Sequence, residues 1–370
     1  MVDLVGQYEK IKTEIDSAIQ EVIHSSRFIN GPSVKEFQSG LEKYLSVQHV
    51  IPCANGTDAL QIAMMALGLK QGDEVITANF TFAATVETIA FMGLVPVLVD
   101  VDPNTFNIDI KEIEKAISTK TKAIIPVHLF GQCADMEPII ALAKKHNLFV
   151  IEDTAQAIGA DYIFTNGTKK KAGTIGNIGT TSFFPSKNLG AYGDSGALYT
   201  NDDELAKKCR MIVNHGQSKQ YFYEMLGVNS RLDSIQAAIL NVKLKYLDKY
   251  ATARNKAADY YDIAFAGNSK ITRPARAKNS THVFHQYTLK LNGVNRDALK
   301  EHLTTKEIPS MIYYPVPLHS QPAYKHPANE KRNYPVTDKL CSSVISLPMH
   351  TELDEETLKY ITESVLEFTK

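Results

Sequence analysis

Between residues 45 and 245 the chain repeatedly exchanges short runs of β-branched and apolar residues for stretches of helical spacing, and this alternation restricts the fold more than any other feature. Strand, helix and strand in repetition build a mostly parallel sheet with helices on its faces. The candidate strands are residues 49–53, 74–78, 95–99, 123–127, 148–152 and 180–184, several of them continuously apolar, as strands buried on both faces are. Helices are predicted at 58–67 and at 136–146, the second with Asp135 as its cap and Lys144, Lys145 and His146 in its last turn. Beyond Asp233, apolar residues at Ile235, Ala238, Ile239, Val242, Tyr246 and Leu247 predict one long amphipathic helix leading out of this core. That places a boundary near residue 245, with a large α/β domain at 1–245 and a small α+β domain at 246–370. The small domain reads as an alternating segment at 283–291, a helix from Arg296, a Pro-rich stretch at Pro315 and Pro317, and a terminal helix from Asp354. Residues before about 30 are expected to pack on one of the two domains.

Composition narrows the class of partner. Lys plus Arg number 40 against 41 Asp plus Glu, so no single-sign field points to nucleic acid or a membrane surface. The run Lys169-Lys170-Lys171 is expected to be a solvated loop. No apolar stretch approaches the roughly 18 residues of a membrane span, and the first residues carry no targeting pattern, so a cytoplasmic location is expected. Cys53, Cys133, Cys209 and Cys341 lie too far apart for a metal or dithiol motif and read as buried small hydrophobes, so no metal is expected.

In an open α/β sheet, ligands sit beyond the carboxyl ends of the strands, so polar residues interrupting the apolar runs there are candidates. Ala54-Asn55-Gly56-Thr57-Asp58 follows the first strand and opens a helix, where free N–H groups and the helix dipole can hold a phosphate. The same residues also describe a plain turn with a Thr or Asp cap. Glu152-Asp153 ends a buried strand, and Gln156 follows. Asp153 either meets a ligand, where a carboxylate would keep a pyridine nitrogen protonated, or anchors the loop. Ser182-Phe183-Phe184-Pro185-Ser186-Lys187-Asn188-Leu189-Gly190 places a lysine just after another strand, where partial desolvation would lower its pKa toward Schiff-base chemistry. A lone lysine is ordinarily a surface residue. A phosphate cradle, a ring-nitrogen carboxylate and an amine in chain order together describe a site for pyridoxal 5′-phosphate (PLP).

These segments resemble the sugar aminotransferases of the DegT/DnrJ/EryC1/StrS family, from about Phe28 to the C-terminus. The likeness is carried by Phe28-Ile29-Asn30-Gly31-Pro32, Asn55-Gly56-Thr57-Asp58-Ala59-Leu60, Glu152-Asp153 with Ala155-Gln156-Ala157, Ser182 to Gly190, Asn229-Ser230-Arg231, and Tyr314-Pro315 with Pro317-Leu318-His319. It implies an aspartate-aminotransferase-like fold, with Lys187 as Schiff-base lysine and proton shuttle, Asp153 on the ring nitrogen and Gln156 near the ring hydroxyl. Gly56, Thr57 and Ser182 would bind phosphate, and Phe82 would stack on the ring, although an ordinary buried strand-end aromatic is its other reading. Asn229 matches a position that reaches the phosphate of the neighbouring subunit, which implies a homodimer with shared active sites. Arg231 would lie near the sugar, where a guanidinium suits a uronate carboxylate; a structural ion pair is its alternative. Tyr314 and His319 would face the substrate.

Cys53 to Ile62, Gly131-Gln132-Cys133-Ala134-Asp135 and Gly227 to Asp233 are most similar to family members that aminate UDP-2-acetamido-2-deoxy-3-oxo-glucuronate for bacterial surface polysaccharides. The implied reaction moves an amino group from L-glutamate to that nucleotide sugar. A dTDP-3-oxo-6-deoxyhexose is the alternative acceptor, and a non-catalytic PLP-binding regulatory protein is the alternative of another class. Two positions depart from the family pattern. Ser195 replaces a usual glycine, and Tyr313 replaces a usual histidine at a substrate-facing position.

Overall fold

The computed structural model describes residues 1–370. Its centre is a seven-stranded sheet in the spatial order His49–Cys53, Gly196–Thr200, Ile178–Ser182, Phe149–Asp153, Thr121–Ile125, Glu74–Ala78 and Val95–Val99. Gly196–Thr200 runs antiparallel to both its neighbours, and the pairings from Ile178–Ser182 outward are parallel. Val75, Ile76, Ile124, Ile151 and Leu198 are fully buried, as expected where helices cover both faces. The first three predicted strands have the predicted ends, and the next three are displaced by one or two residues. Gly196–Thr200 was not among them: its five residues are all buried, but they follow a glycine-rich segment that reads as loop.

The helix Met136–His146 has the predicted bounds, with Asp135 in a different role. Asp135 caps no backbone N–H; its carboxylate accepts from the Tyr162 hydroxyl at 2.6 Å and the Asn279 amide at 2.8 Å. The long helix expected after Asp233 is two helices, Ser234–Leu244 and Leu247–Ala264, separated at Lys245 and Tyr246. Lys169–Lys171 is a strand, not a loop: it pairs antiparallel with Asp161–Ile163. Lys171 secures that hairpin through Asp161 at 3.0 Å and the Gly159 carbonyl at 3.2 Å.

After residue 246, a three-stranded antiparallel sheet of Ile271–Thr272, Tyr287–Leu291 and Val344–Leu347 packs against the helices Leu247–Ala264, Arg296–Thr305 and Glu355–Phe368 around a second core containing Tyr261, Tyr287, Leu299 and Val365. The intervening segment returns to the large sheet. Asn329 accepts from Leu98 N and donates to Pro96 O, so a side chain completes the exposed edge of Val95–Val99 as a neighbouring strand would. Asp100 meanwhile accepts from the first N–H groups of the helix Pro335–Ser343. The N-terminal helix Lys12–Ser25 packs on Ser234–Leu244, whereas Gln7 reaches Thr351 and Lys10 pairs with Glu352, so the first residues touch both parts of the chain. All four cysteines are buried and unpaired, and burial pushes every thiol pKa up. No helix is long and apolar enough to cross a membrane.

Candidate active site

The carboxyl ends of the parallel strands open into a cavity of about 670 Å³. Strand alternation decides which polar residues reach it. Asp153, 6% exposed at the end of Phe149–Asp153, lines the cavity; there it accepts from Thr85 Oγ1 at 2.9 Å and from Ala155 N at 3.1 Å. Its neighbour Glu152 points to the opposite face, where it accepts from His128 Nε2 and from the backbone of Gly173, Ile175 and Gly176. The two carboxylates that look alike in sequence therefore divide into one cavity group and one that holds a turn.

Lys187 follows Ile178–Ser182 on a turn closed by Lys187 N to Phe184 O at 2.8 Å and Ala191 N to Phe183 O at 2.8 Å. Phe183 anchors that turn by packing edge-on against Phe37 in the core. The lysine lines the cavity, and desolvation lowers its pKa to about 8, with the Asp153 charge pulling the other way. An ammonium that gives up its proton this readily supplies the free amine that Schiff-base formation needs.

At the cavity floor the helix Gly56–Ala66 begins, capped by Asn55, whose side chain accepts from Asp58 N at 2.8 Å. The capping group is thus Asn55, leaving Gly56 and Thr57 at the cavity with first-turn N–H groups. A Cβ at Gly56 would lie 2.6 Å from Ser182 Cβ, so only glycine lets this helix end close on Ser182. Thr81, also on the wall, is buried with its hydroxyl unpartnered. Helix N–H groups, Ser182, an orphan hydroxyl, a buried carboxylate and a desolvated amine around one cavity fit PLP in charge and in hydrogen-bonding sense.

Phe82 lines the mouth and is 56% exposed, not a buried strand-end aromatic. Gln156 bridges from Phe130 N, which it accepts at 2.8 Å, to the Tyr314 hydroxyl at 3.1 Å, and burial raises the Tyr314 pKa. Tyr313 and Tyr314 both line the wall supplied by the returning segment. Asn229, Arg231 and His319 do not. His319 stacks on Tyr334 and pairs with Asn79 at 2.7 Å, a contact that joins the returning segment to the large sheet. Asn229 is exposed beside the buried Ser230, and neither Asn229 nor Arg231 has a side-chain hydrogen bond or ion pair. Ser195 is buried without a positive φ, so nothing there requires glycine. His285 and Gln286 also line the cavity although sequence reasoning passed over them, because 283–291 reads as continuous alternation. The strand starts only at Tyr287, after Phe284 turns to φ 44°.

Residues 9–366 match the model of the DegT/DnrJ/EryC1/StrS aminotransferase family. The chain is 49% identical over 370 residues to a pleiotropic regulatory protein of Geobacillus stearothermophilus, covering 100% of this chain and 98% of that one. It is 46% identical to the UDP-2-acetamido-2-deoxy-3-oxo-D-glucuronate aminotransferase of Pseudomonas aeruginosa, covering 97% of each. A crystal structure of a DegT DnrJ EryC1 StrS aminotransferase from Brucella abortus superposes with a TM-score of 0.94 at 42% identity, covering 100% of this chain and 98% of that one.

Proposed function

The chain belongs to the DegT/DnrJ/EryC1/StrS aminotransferase family of PLP-dependent sugar aminotransferases, and from that premise we propose that it carries an amino group from L-glutamate to the 3-keto carbon of UDP-2-acetamido-2-deoxy-3-oxo-glucuronate. The observation that carries the assignment is Lys187, a desolvated amine whose pKa falls to about 8, in one cavity with the buried carboxylate of Asp153.

When bound, the cofactor supplies an electron sink for the carbon that loses or gains a proton. Lys187 would hold it covalently and, as a free amine, would move a proton at the substrate carbon. A pKa near the working pH lets one amine both accept and donate that proton. Asp153, kept from turning by Thr85 and Ala155, would face the ring nitrogen, and Gln156 the ring hydroxyl. Gly56, Thr57 and Ser182 would hold the phosphate, and Phe82 would cover the ring face and exclude water. Tyr313 and Tyr314 would line the sugar side.

Lys187 is the only ammonium or guanidinium on the cavity wall. A uronate carboxylate therefore needs a cation from elsewhere, and the unpaired Arg231 and Asn229 sit on a surface loop that a second copy of the chain would bring to the cavity mouth. Exposed Phe28, Ile29, Phe184, Tyr221, Phe222, Tyr223 and Leu226 give this homodimer an apolar surface to cover. His319, hydrogen-bonded to Asn79, would act on the substrate only through the segment it holds. The cation-poor wall also favours a second acceptor, a dTDP-3-oxo-6-deoxyhexose, whose sugar ring carries no carboxylate. Borohydride reduction of the PLP-loaded protein, followed by peptide mass spectrometry, tests the assignment. The cofactor is expected on the Lys187 peptide; a mark on another lysine, or full turnover by Lys187→Ala, overturns it.

A further inference from the structure

We propose that Asn188 is a positioning residue for Lys187: its side-chain amide ties the lysine's turn to the buried segment 282–285 and so keeps the amine inside the cavity. The inference rests on the PLP-dependent function above.

The turn that carries the lysine has little else to hold it. Lys187 N bonds to Phe184 O at 2.8 Å, but that contact lies within the turn itself. The only side-chain hydrogen bond made by residues 185–190 is a buried one, from Asn188 Nδ2 to Val283 O at 2.8 Å. Asn188 is 4% exposed, and its amide oxygen has no partner. An apolar side chain would fill the same place without leaving a polar atom unmet, so packing alone does not ask for an amide here. What the amide adds is one directed bond, next to the lysine, to a partner far away in sequence.

That partner is held independently of Asn188. His282 O accepts from Asn255 Nδ2 at 2.8 Å, and Val283 N donates to Gly131 O at 2.8 Å. Phe284 N donates to His282 Nδ1 at 3.0 Å, while Arg254, itself 4% exposed, donates to Phe284 O at 3.0 Å and to His285 O at 3.4 Å. A Cβ at Gly131 would stand 2.8 Å from Phe284 N, so the two backbones meet more closely than any other residue allows. Val283 O is therefore a fixed point, and the turn is the side that gains a position from the bond.

Position matters to this lysine because it is only half-buried and its amine sits at the end of a flexible four-carbon stem. Desolvation lowers its proton affinity and outweighs the Asp153 charge that pulls the other way. A turn freed from Val283 would let the amine swing toward the open mouth, where water restores its ordinary proton affinity.

The test reads the lysine itself. PLP is titrated into the cofactor-free full chain across pH, because only the unprotonated Lys187 amine condenses with the PLP aldehyde, with loss of water. Pyridoxamine phosphate, which binds without the lysine, is the control. In Asn188→Ala the midpoint of PLP uptake should rise from about 8 by about one pH unit toward the ordinary 10.5, a roughly tenfold smaller share of free amine below the midpoint. Affinity for pyridoxamine phosphate should stay within about twofold. Asn188→Ser, whose hydroxyl stops one bond short of the place of the amide nitrogen, is the second variant and should behave as the alanine does. An unchanged midpoint in a folded variant, or pyridoxamine phosphate weakened as much as PLP, would make Asn188 a packing residue and overturn the inference. Wild-type protein that takes up no PLP, or that borohydride marks on another lysine, would instead contradict the function on which the inference rests.

Discussion

Gly56→Ala tests the phosphate cradle because the geometry sets the size of the effect. The added methyl would stand 2.6 Å from Ser182 Cβ and 3.2 Å from Ser182 Cα. Carbon atoms are at ease near 3.5–4.0 Å, so the helix end and the strand end must part by about 1 Å. Overpacking of this kind costs about 1–3 kcal/mol, partly offset by alanine's lower backbone entropy loss. The larger effect falls on the ligand. Hydrogen bonds to a charged phosphate contribute about 1.5–3 kcal/mol each, so displacing the first-turn N–H groups should weaken binding about 10- to 100-fold. Pyridoxamine phosphate is the suitable titrant, since it cannot form a Schiff base with Lys187 and reports only non-covalent binding. Pyridoxamine, which lacks the phosphate, should bind wild type and variant alike. If Gly56→Ala bound pyridoxamine phosphate as tightly as wild type, the phosphate would not lie at this helix end.

Further outcomes follow from the same residues. PLP uptake by cofactor-free protein should rise with pH through about 8, where Lys187 loses its proton, and Asp153→Asn should lower that midpoint because the Asp153 charge holds it up; a midpoint near that of an ordinary lysine would refute the desolvated amine. Between the folded value of about 8 and the ordinary 10.5, the unfolded chain binds the extra proton, so cofactor-free protein should gain stability from this group as pH rises, and Lys187→Met should remove that slope in urea unfolding. Arg254→Met strands three carbonyls and should lower stability by about 3 kcal/mol, measured by the urea midpoint; an unchanged midpoint would show that those carbonyls find other donors. Arg231→Gln should raise KM at least tenfold for a UDP-linked 3-amino-uronate and leave a UDP-linked 3-amino sugar without a carboxylate unaffected; equal effects would remove Arg231 from carboxylate recognition.

Much of the fold was legible because buried parallel strands announce themselves as apolar runs. His49–Cys53, Glu74–Ala78 and Val95–Val99 could be bounded to the residue. Gly196–Thr200 could not, since the tight Lys187 turn before it and the strand itself share small residues, and only tertiary packing separates them. Lys169–Lys171 has a solvated composition, yet its backbone pairs with Asp161–Ile163, a match no periodicity signals. The division of labour at Glu152-Asp153 was implicit in strand alternation, but which carboxylate faces the cavity depends on which face the helices leave open. His285 stayed hidden because the positive φ at Phe284 ends the alternation one residue earlier, at a place where the backbone packs against Gly131, far away in sequence. Asp135 was misjudged for a simple reason: an aspartate before a helix looks like a cap, whereas Tyr162 and Asn279 compete for the same oxygen.

The central claim, that this chain aminates a nucleotide-linked 3-keto uronate, is tested most directly in reverse. The visible absorbance of the PLP-loaded protein is followed as a UDP-linked 3-amino-uronate or, separately, a dTDP-linked 3-amino-6-deoxyhexose is added. Bleaching with the uronate alone is the predicted result. Bleaching with the deoxyhexose alone would keep the chemistry of Lys187 and contradict the substrate, and bleaching with neither would contradict the claim itself.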